Sequence, residues 1–530
     1  MTIPPWGPAA ALAATFAGLV AWNFGIGARL AALPGAGRPF RLLSGLCAFL
    51  LLPALLIGLL AASAAGARVL GPLAWLWPLT AVSILVQTVW AMALGRAGAL
   101  VSLPLLTLNL VVAWTAAVRW LESIGVALAP WTFAPSLAVT TVLVAGAGAA
   151  TAPWVAAILV PALAPGAPAR WRHTRAARLL VAIACTALLA ATGIALPGAL
   201  ETLRAADRLR DGAPAPRERG ELAVGLRLFG TLAGAPSGTQ ARHDVALADS
   251  LGVTALHVEF RHNGASASAL DSVARALETR RDSVVLVVTL DLAPTPWPLQ
   301  SGDAQRARLA VIDRIVRRLR PDVFVAAERT PLQAGSDHAA WQSYYELAAA
   351  AVRRADRSVA VALPVEGTSA ADSTLADWVL QGGSPLAAVA LMAPTAPTPQ
   401  QFAATLHAVA RWASFTRDVP PVWVLGAPAA PAATGEVVHQ RVVRFALDWS
   451  AAHPWVRGVI AGDASDGLAP TGLRTATGRS RRAFDEMRTV LRLRRDLPTA
   501  LADPPAAPPP ESLTAPTTRP PTDSPPTPSP

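Results

Sequence analysis

Proton-handling side chains recur at one kind of place in the second half of this 530-residue chain: at, or just past, the ends of short apolar runs. They are Glu259 and Arg261 around the end of ALHVEF, Asp291 after VVLVVTL, Glu328 after VFVAA, Glu366 after VAVALPV, and Asp463 and Asp466 after VRGVIA. Glu328 follows its run directly. A carboxyl at the mouth of a low-dielectric interior has its charged form disfavoured, which raises its pKa toward the range a general acid needs near neutral pH. The same residue equally suits a loop carboxylate bonded to backbone amides or to neighbouring Arg329.

What must position these groups is a series of strands alternating with amphipathic helices. Candidate strands are Ala223–Phe229, Ala255–Phe260, Val284–Leu290, Val323–Ala327, Val359–Leu363, Ala387–Met392, Val422–Leu425 and Val456–Ala461. Helical patterns lie between them, among them Ala304–Leu319, Ala339–Arg354, Gln400–Ala413, Glu436–Ala452 and Arg482–Leu493. Such alternation builds a parallel sheet covered by helices, and eight units in this length predict a (β/α)8 TIM barrel, a fold of about 250 residues. The rival open doubly wound sheet lacks its Gly-rich phosphate loop after the first strand. In a barrel the active site forms at the C-terminal ends of the strands, where the acids above stand.

The run PDVFVAAERTP (Pro321 to Pro331), with Trp341, Tyr344 and the helix into Arg353 behind it, resembles the strand-four segment of clan A retaining glycoside hydrolases. The closing stretch from Gly458 to Phe484, with Gly472-Leu473, Gly478-Arg479 and Arg482-Ala483-Phe484, is similar to that clan's ending after strand eight. The resemblance implies that Glu328 is the acid/base, with Glu259, Arg261 and Asp291 orienting hydroxyls. The departures are specific. Ala327 replaces an Asn, and Leu425 and Gly426 in PPVWVLGAP stand where the strand-seven nucleophilic Glu belongs. Leu391-Met392-Ala393-Pro394 lacks the Tyr often found after strand six. Retaining hydrolysis needs carboxyls about 5–5.5 Å apart, and inverting hydrolysis about 6.5–9.5 Å. Either Asp463, Glu259, Asp291 or Glu366 has taken the second role, or the barrel keeps only binding.

Saccharide sites pair polar groups with aromatic platforms. Trp297, in the Pro-rich loop after strand three, fits a platform and equally a plug sealing that loop. Trp341, Tyr344 and Tyr345 fall at helical spacing and read as outer packing; Trp423 and Trp455 read as structural. The histidines share no metal-ligand spacing, and there is no G-x-S-x-G elbow, so neither metal nor cofactor is expected.

The first two hundred residues are different in solvent preference. They carry ten arginines and one acid, Glu122, so most of the formal net charge of +11 is a topology signal and implies no nucleic-acid partner. Six spans are read: Ala10–Leu30, Leu42–Ala62, Leu73–Leu94, Leu100–Val118, Leu137–Leu163 (interrupted by Pro153, hence kinked or partly re-entrant) and Leu179–Leu196. Polar residues in them are neutral, Asn23, Gln87 and Asn109 among them, which favours an anchor or scaffold over a transporter. Arg29, Arg38, Arg41, Arg96 and the cluster Arg170, Arg172, Arg175 and Arg178 place the odd loops in the cytoplasm and everything after Pro197 outside it. The first span lacks a basic n-region, so a cleavable signal peptide is not expected.

The expected organisation is therefore an all-α membrane domain over 1–198, a linker over 199–221 in which a short charged helix from Glu201 gives way to a stretch with Gly212, Pro214 and Pro216, a TIM barrel over 222–496 and a Pro-rich disordered tail over 497–530. Cys47 and Cys185 lie in apolar runs, so the barrel has no disulfide. The functional expectation is a protein of the cytoplasmic membrane, its partner the lipid bilayer, whose extracytoplasmic glycoside hydrolase-like domain acts on or binds a glycan or envelope polysaccharide. The alternative is a catalytically inactive binding or scaffold module of an envelope complex.

Overall fold

The computed structural model describes residues 17–18, 21–25, 28–30, 32, 37–62, 64–95, 99–147, 162–164, 172–211, 222–291, 302–326, 338–365, 370–380, 384–392, 399–426, 434–467 and 471–496. Its second half is a closed parallel barrel. Strands β1 (Ala223–Leu232), β2 (Ala255–Arg261), β3 (Val285–Asp291), β4 (Val323–Val325), β5 (Ala360–Val365), β6 (Ala388–Met392), β7 (Val422–Leu425) and β8 (Val456–Ser465) pair in sequence order, and β1 closes on β8. A short β9 (Gly472–Arg474) adds to β8 beyond the closure. The expected strands are all present, within a few residues of their predicted ends.

Alternation along each strand sorts the side chains. Ala255, Val287, Val323, Val325, Ala362, Ala388, Ala390, Met392, Trp423, Leu425 and Ile460 form a separate apolar cluster inside the barrel. Their neighbours in sequence point outward into the larger core under the helices. Small residues make room for one large one. A Cβ on Gly458 would lie 2.1 Å from the Trp423 ring, so only glycine fits on β8 beside it.

The flanking helices, numbered on from those of the first half, are α7 (Gly238–Leu251), α8 (Ala267–Leu277), α9 (Gly302–Leu319), α10 (His338–Ala355), α11 (Ala370–Leu380), α12 (Pro399–Ser414), α13 (Glu436–Ala452) and α14 (Arg482–Asp496). Their starts are chemically marked where Ser237 and Ser266 accept the backbone N–H of Gln240 and Ala269. Trp341, Tyr344 and Tyr345 on α10 pack ring against ring, each at most 2% exposed, between helix and sheet.

In the first half, α1 (Arg38–Ala62), α2 (Ala64–Leu70), α3 (Leu76–Ala93), α4 (Ala99–Ser123), α5 (Ala134–Ala147) and α6 (Arg172–Asp211) form a bundle. Six spans are expected; among the described residues, four helices are long and apolar enough to cross a membrane, at Arg38–Ala62, Leu76–Ala93, Ser102–Ser123 and Leu179–Leu209. The expected first span and residues 148–161 of the fifth lie largely or wholly outside the described residues. The sixth does not stop at Leu196. It runs through Pro197 to Asp211, leaving the Gly193 carbonyl without its helical donor, so the short charged helix expected from Glu201 is continuous with the sixth span.

Residues 162–164 are non-helical and buried among the apolar helices. Asn109 donates to the Leu163 carbonyl and accepts its N–H, each at 2.8 Å, and Asn23 accepts the N–H of Ala164 at 2.7 Å. Irregular backbone persists at such depth only when its polar groups are satisfied. That is the use of the two neutral asparagines singled out in the sequence.

Candidate functional site

The barrel interior is apolar throughout on β4 to β7, whereas on β8, β1, β2 and β3 it turns from apolar to polar toward the strand ends. Arg227, midway along β1, lies in register with His257 on one side and Asp463 on the other. Its Nη1 donates to Glu259 at 2.5 Å, its Nη2 to Asp463 Oδ2 at 3.1 Å, and its Nε to Asp463 Oδ1. One guanidinium thus holds acids from two strands on separate edges. Thr231 donates to the other oxygen of Glu259, and Thr471, from the turn before β9, donates to Asp463 at 2.5 Å.

Two irregularities of the backbone make this meeting happen. Between Gly225 and Arg227 the β1–β8 register shifts, so that Asp463 takes up the inward parity of Ile460. Between Leu228 and Thr231, β1 bulges through Phe229 and Gly230, both with positive φ, at 66° and 61°. A phenylalanine in that region is strained. It is held there by Asp244 of α7, which accepts the Phe229 N–H at 2.8 Å and the Ser465 hydroxyl. The bulge brings Thr231 opposite Glu259.

The electrostatics follow from burial and pairing. Burial by itself raises the Glu259 carboxyl, but the Arg227 and His257 charges and the Thr231 and Arg227 hydrogen bonds outweigh it, holding Glu259 below the usual range. Asp463 is depressed by the same balance, with Arg227 and Thr471 opposing burial. His257, 2% exposed, is pushed down to about 4, chiefly by burial, and its Nε2 pairs with the Thr289 hydroxyl at 2.8 Å. Both acids are therefore ionised acceptors at neutral pH, beside a neutral imidazole. They are unsuited to donating a proton and well suited to gripping donors.

Of the residues singled out in the sequence, Glu259 and Asp463 converge on Arg227. Asp291 ends β3 on the same inward parity as Thr289 and is buried, and Arg261 pairs with it in register as the exposed last residue of β2. Asp466, also noted past the last strand, is structural: it accepts the N–H groups of Gly472 and Ala476 and an Arg481 donor beside β9. Glu328, Trp297 and Glu366 lie outside the described residues. Leu425, 4% exposed, fills the barrel interior with Met392 and Trp423 at the ends of β6 and β7.

Sequence reasoning misses Arg227, Thr231, Asp244 and Thr471, and gives His257 no role. The available signal was an arginine in the middle of the otherwise apolar AVGLRLF, which a buried strand tolerates only with a partner. A groove of about 460 Å³ at the far end of the barrel, lined by Arg275, Glu278, Arg281, Asp282, Arg318 and Arg320, gathers mixed charges and none of these groups.

No protein-family model matches the chain, and no curated protein matches it. Solved structures similar to its barrel half include a monomeric β-xylosidase from Caulobacter crescentus CB15, at 14% identity and TM-score 0.39, covering 52% of this chain and 69% of that one. A GH5_18 variant from Streptomyces cattleya in complex with Manβ1-4GlcNAc aligns at 15% identity and TM-score 0.39, covering 52% and 81%. The β-glucuronidase of Parabacteroides merdae aligns at 7% identity and TM-score 0.36, covering 51% and 36%.

Proposed function

We propose that this is a protein of the cytoplasmic membrane whose extracytoplasmic barrel engages a glycan in the manner of a glycoside hydrolase. The observation that carries the reading is the acceptor-rich wall at the strand ends, where Glu259 and Asp463 flank Arg227 and Asp291 ends the neighbouring strand. Glu259 and Asp463 are themselves taken up by Arg227, Thr231 and Thr471, so what the wall offers a ligand is the field of ionised carboxylates rather than open lone pairs. Its negative charge also favours the oxocarbenium-like transition state of glycoside cleavage.

In this reading Glu328 gives its proton to the departing glycosidic oxygen, and Arg261 and Trp297 border the sugar. The second carboxyl comes from among Asp463, Glu259, Asp291 and Glu366. The outward placement rests on the arginine-rich odd loops. The test is turnover of a panel of aryl glycosides by the full-length protein in detergent, with Glu328→Gln alongside. A general acid contributes about 10²–10⁴-fold, so a loss of that size supports the assignment, and equal rates remove Glu328 from the mechanism. A reporter fused after Arg495 tests the side of the membrane.

One observation favours a second reading, a barrel that binds a saccharide without cleaving it. Leu425 occupies the strand-seven position of the missing nucleophile and is packed against other apolar side chains. Retention of a glycan with no turnover by the unmodified protein would select it.

A further inference from the structure

The barrel meets the apolar helices through the same end that carries the candidate site. In a (β/α)8 fold the loops after the strands and the N-termini of the following helices share the functional end. Glu436, the first residue of α13, donates its backbone N–H to the Glu122 carboxylate at the end of α4, at 2.7 Å. Gly435, with φ 90°, lies so close to Phe133 that a Cβ there would stand 2.8 Å from the ring. Ala476, in the loop after β9, accepts a hydrogen bond from Arg68 Nε at 3.0 Å. Arg68 lies between α1 and α3, and Glu122 and Phe133 between the bodies of α4 and α5. Both connections therefore touch the site end of the seventh and eighth units.

The path of α6 agrees. Its last turns put Leu203, Ala206 and Leu209 into the barrel core and pair Asp207 with Arg441 of α13. The helix therefore passes down the flank beside α12 and α13, and the chain enters β1 from the end remote from the site. A helix of 40 residues is about 60 Å long against a hydrocarbon core of about 30 Å, which leaves about half its length for this descent.

We propose that the mouth opens toward the surface of the bilayer that anchors the chain, and that it takes the saccharide of a lipid-anchored glycan in the facing leaflet, in preference to a free polysaccharide. The proposal rests on the glycan reading above and names its substrate class. A sugar carried on a lipid reaches such a mouth by diffusion within the membrane, at the high effective concentration that shared tethering provides. A long soluble chain has to enter between the barrel and the membrane.

The experiment has two arms, both on full-length protein in phosphatidylcholine vesicles. In the first, a fluorophore is placed by Ala235→Cys on the mouth loop after β1, or by Ser283→Cys at the opposite end, with Cys47 and Cys185 changed to Ser. Headgroup-nitroxide lipids are expected to quench position 235 and to spare position 283; equal or inverted quenching overturns the orientation. In the second, vesicles also carry glucosyl-, galactosyl- or mannosyl-diacylglycerol, compared with the methyl glycoside of the same sugar in solution. The expected result is capture or turnover of one glycolipid at least about tenfold better than its free counterpart, the advantage of confinement to one surface. Equal or better handling of the free glycoside overturns the lipid-linked class and leaves the glycan reading standing. Failure with every sugar in both forms overturns the glycan reading and this inference with it.

Discussion

The Arg227 guanidinium grips the Asp463 carboxylate through two donors, Nε and Nη2, across the seam where β1 closes on β8. The pair thus serves the closure of the barrel as well as the chemistry at its mouth. Glu259 and Asp463 are 1% and 9% exposed at the side chain, so removing their shared cation strands two charges. Arg227→Ala is expected to cost about 3–5 kcal/mol, the penalty of breaking a buried pair from one side. Arg227→Lys keeps the charge but not the fork and falls between. Chemical denaturation of the full-length protein in detergent measures both, and a wild-type midpoint for Arg227→Ala would show that the acids hold protons.

The contribution of His257 to stability should decline on mild acidification. His257 is lowered to about 4 by burial, which outweighs the nearby Glu259 charge. Below about pH 6.5 the unfolded chain binds a proton that the folded chain refuses. The neutral ring's contribution is full above that pH and is lost as pH falls toward 4, by up to about 3 kcal/mol. His439, lowered to about 3 mainly by burial, acts in the same direction. Glu259 and Asp463, depressed in the fold, stabilise above their unfolded values and lose this only as pH falls through their folded ones. Asp244 and Asp466, whose carboxyls burial raises, act the other way, so the His257 share is read by difference: from neutral pH down to about 4 the wild-type midpoint should fall relative to that of His257→Gln. An unchanged slope in the variant would place the titration elsewhere.

The barrel was readable in the sequence because its strands are short, mostly apolar runs alternating with amphipathic helices, and burial on both faces requires such runs in a parallel sheet. The site was half readable for the same reason. Glu259 and Asp463 stand near strand ends, where a reader looks. Arg227 lies mid-strand, and the two bulges that bring Asp463 and Thr231 to it depend on Asp244, whose role needs three-dimensional neighbours. Pro197 reads as the end of a span because proline usually ends helices; α6 passes through it as its apolar residues pack first in the bundle and then against α12 and α13.

Trp423 on β7 and Gly458 on β8 fit as ring against bare backbone. Gly458→Ala is expected to destabilise by at least the about 1–3 kcal/mol typical of overpacking, since both partners sit in the closed interior. Trp423→Leu alone leaves a void of the opposite kind. Combined with Gly458→Ala it should recover part of the loss, giving a coupling in a double-mutant cycle that independent sites would not show. Strictly additive midpoints would mean that the two do not touch.

Glu122 is the single acid among the first two hundred residues, and it caps a helix of the other half of the molecule, accepting the first N–H of α13. Arg479 pairs with Glu436 at the same corner. Glu122→Ala leaves that buried donor unmatched, at an expected cost of about 1–3 kcal/mol, whereas Glu122→Gln retains an accepting oxygen and should stay near wild type. Hydrogen exchange supplies the local readout. Amides at the start of α13, from Glu436 to Gln440, should lose protection in the alanine variant while the strands keep theirs. Uniform loss across the barrel would indicate global unfolding, and no loss at α13 would show that the two halves are held together without this contact.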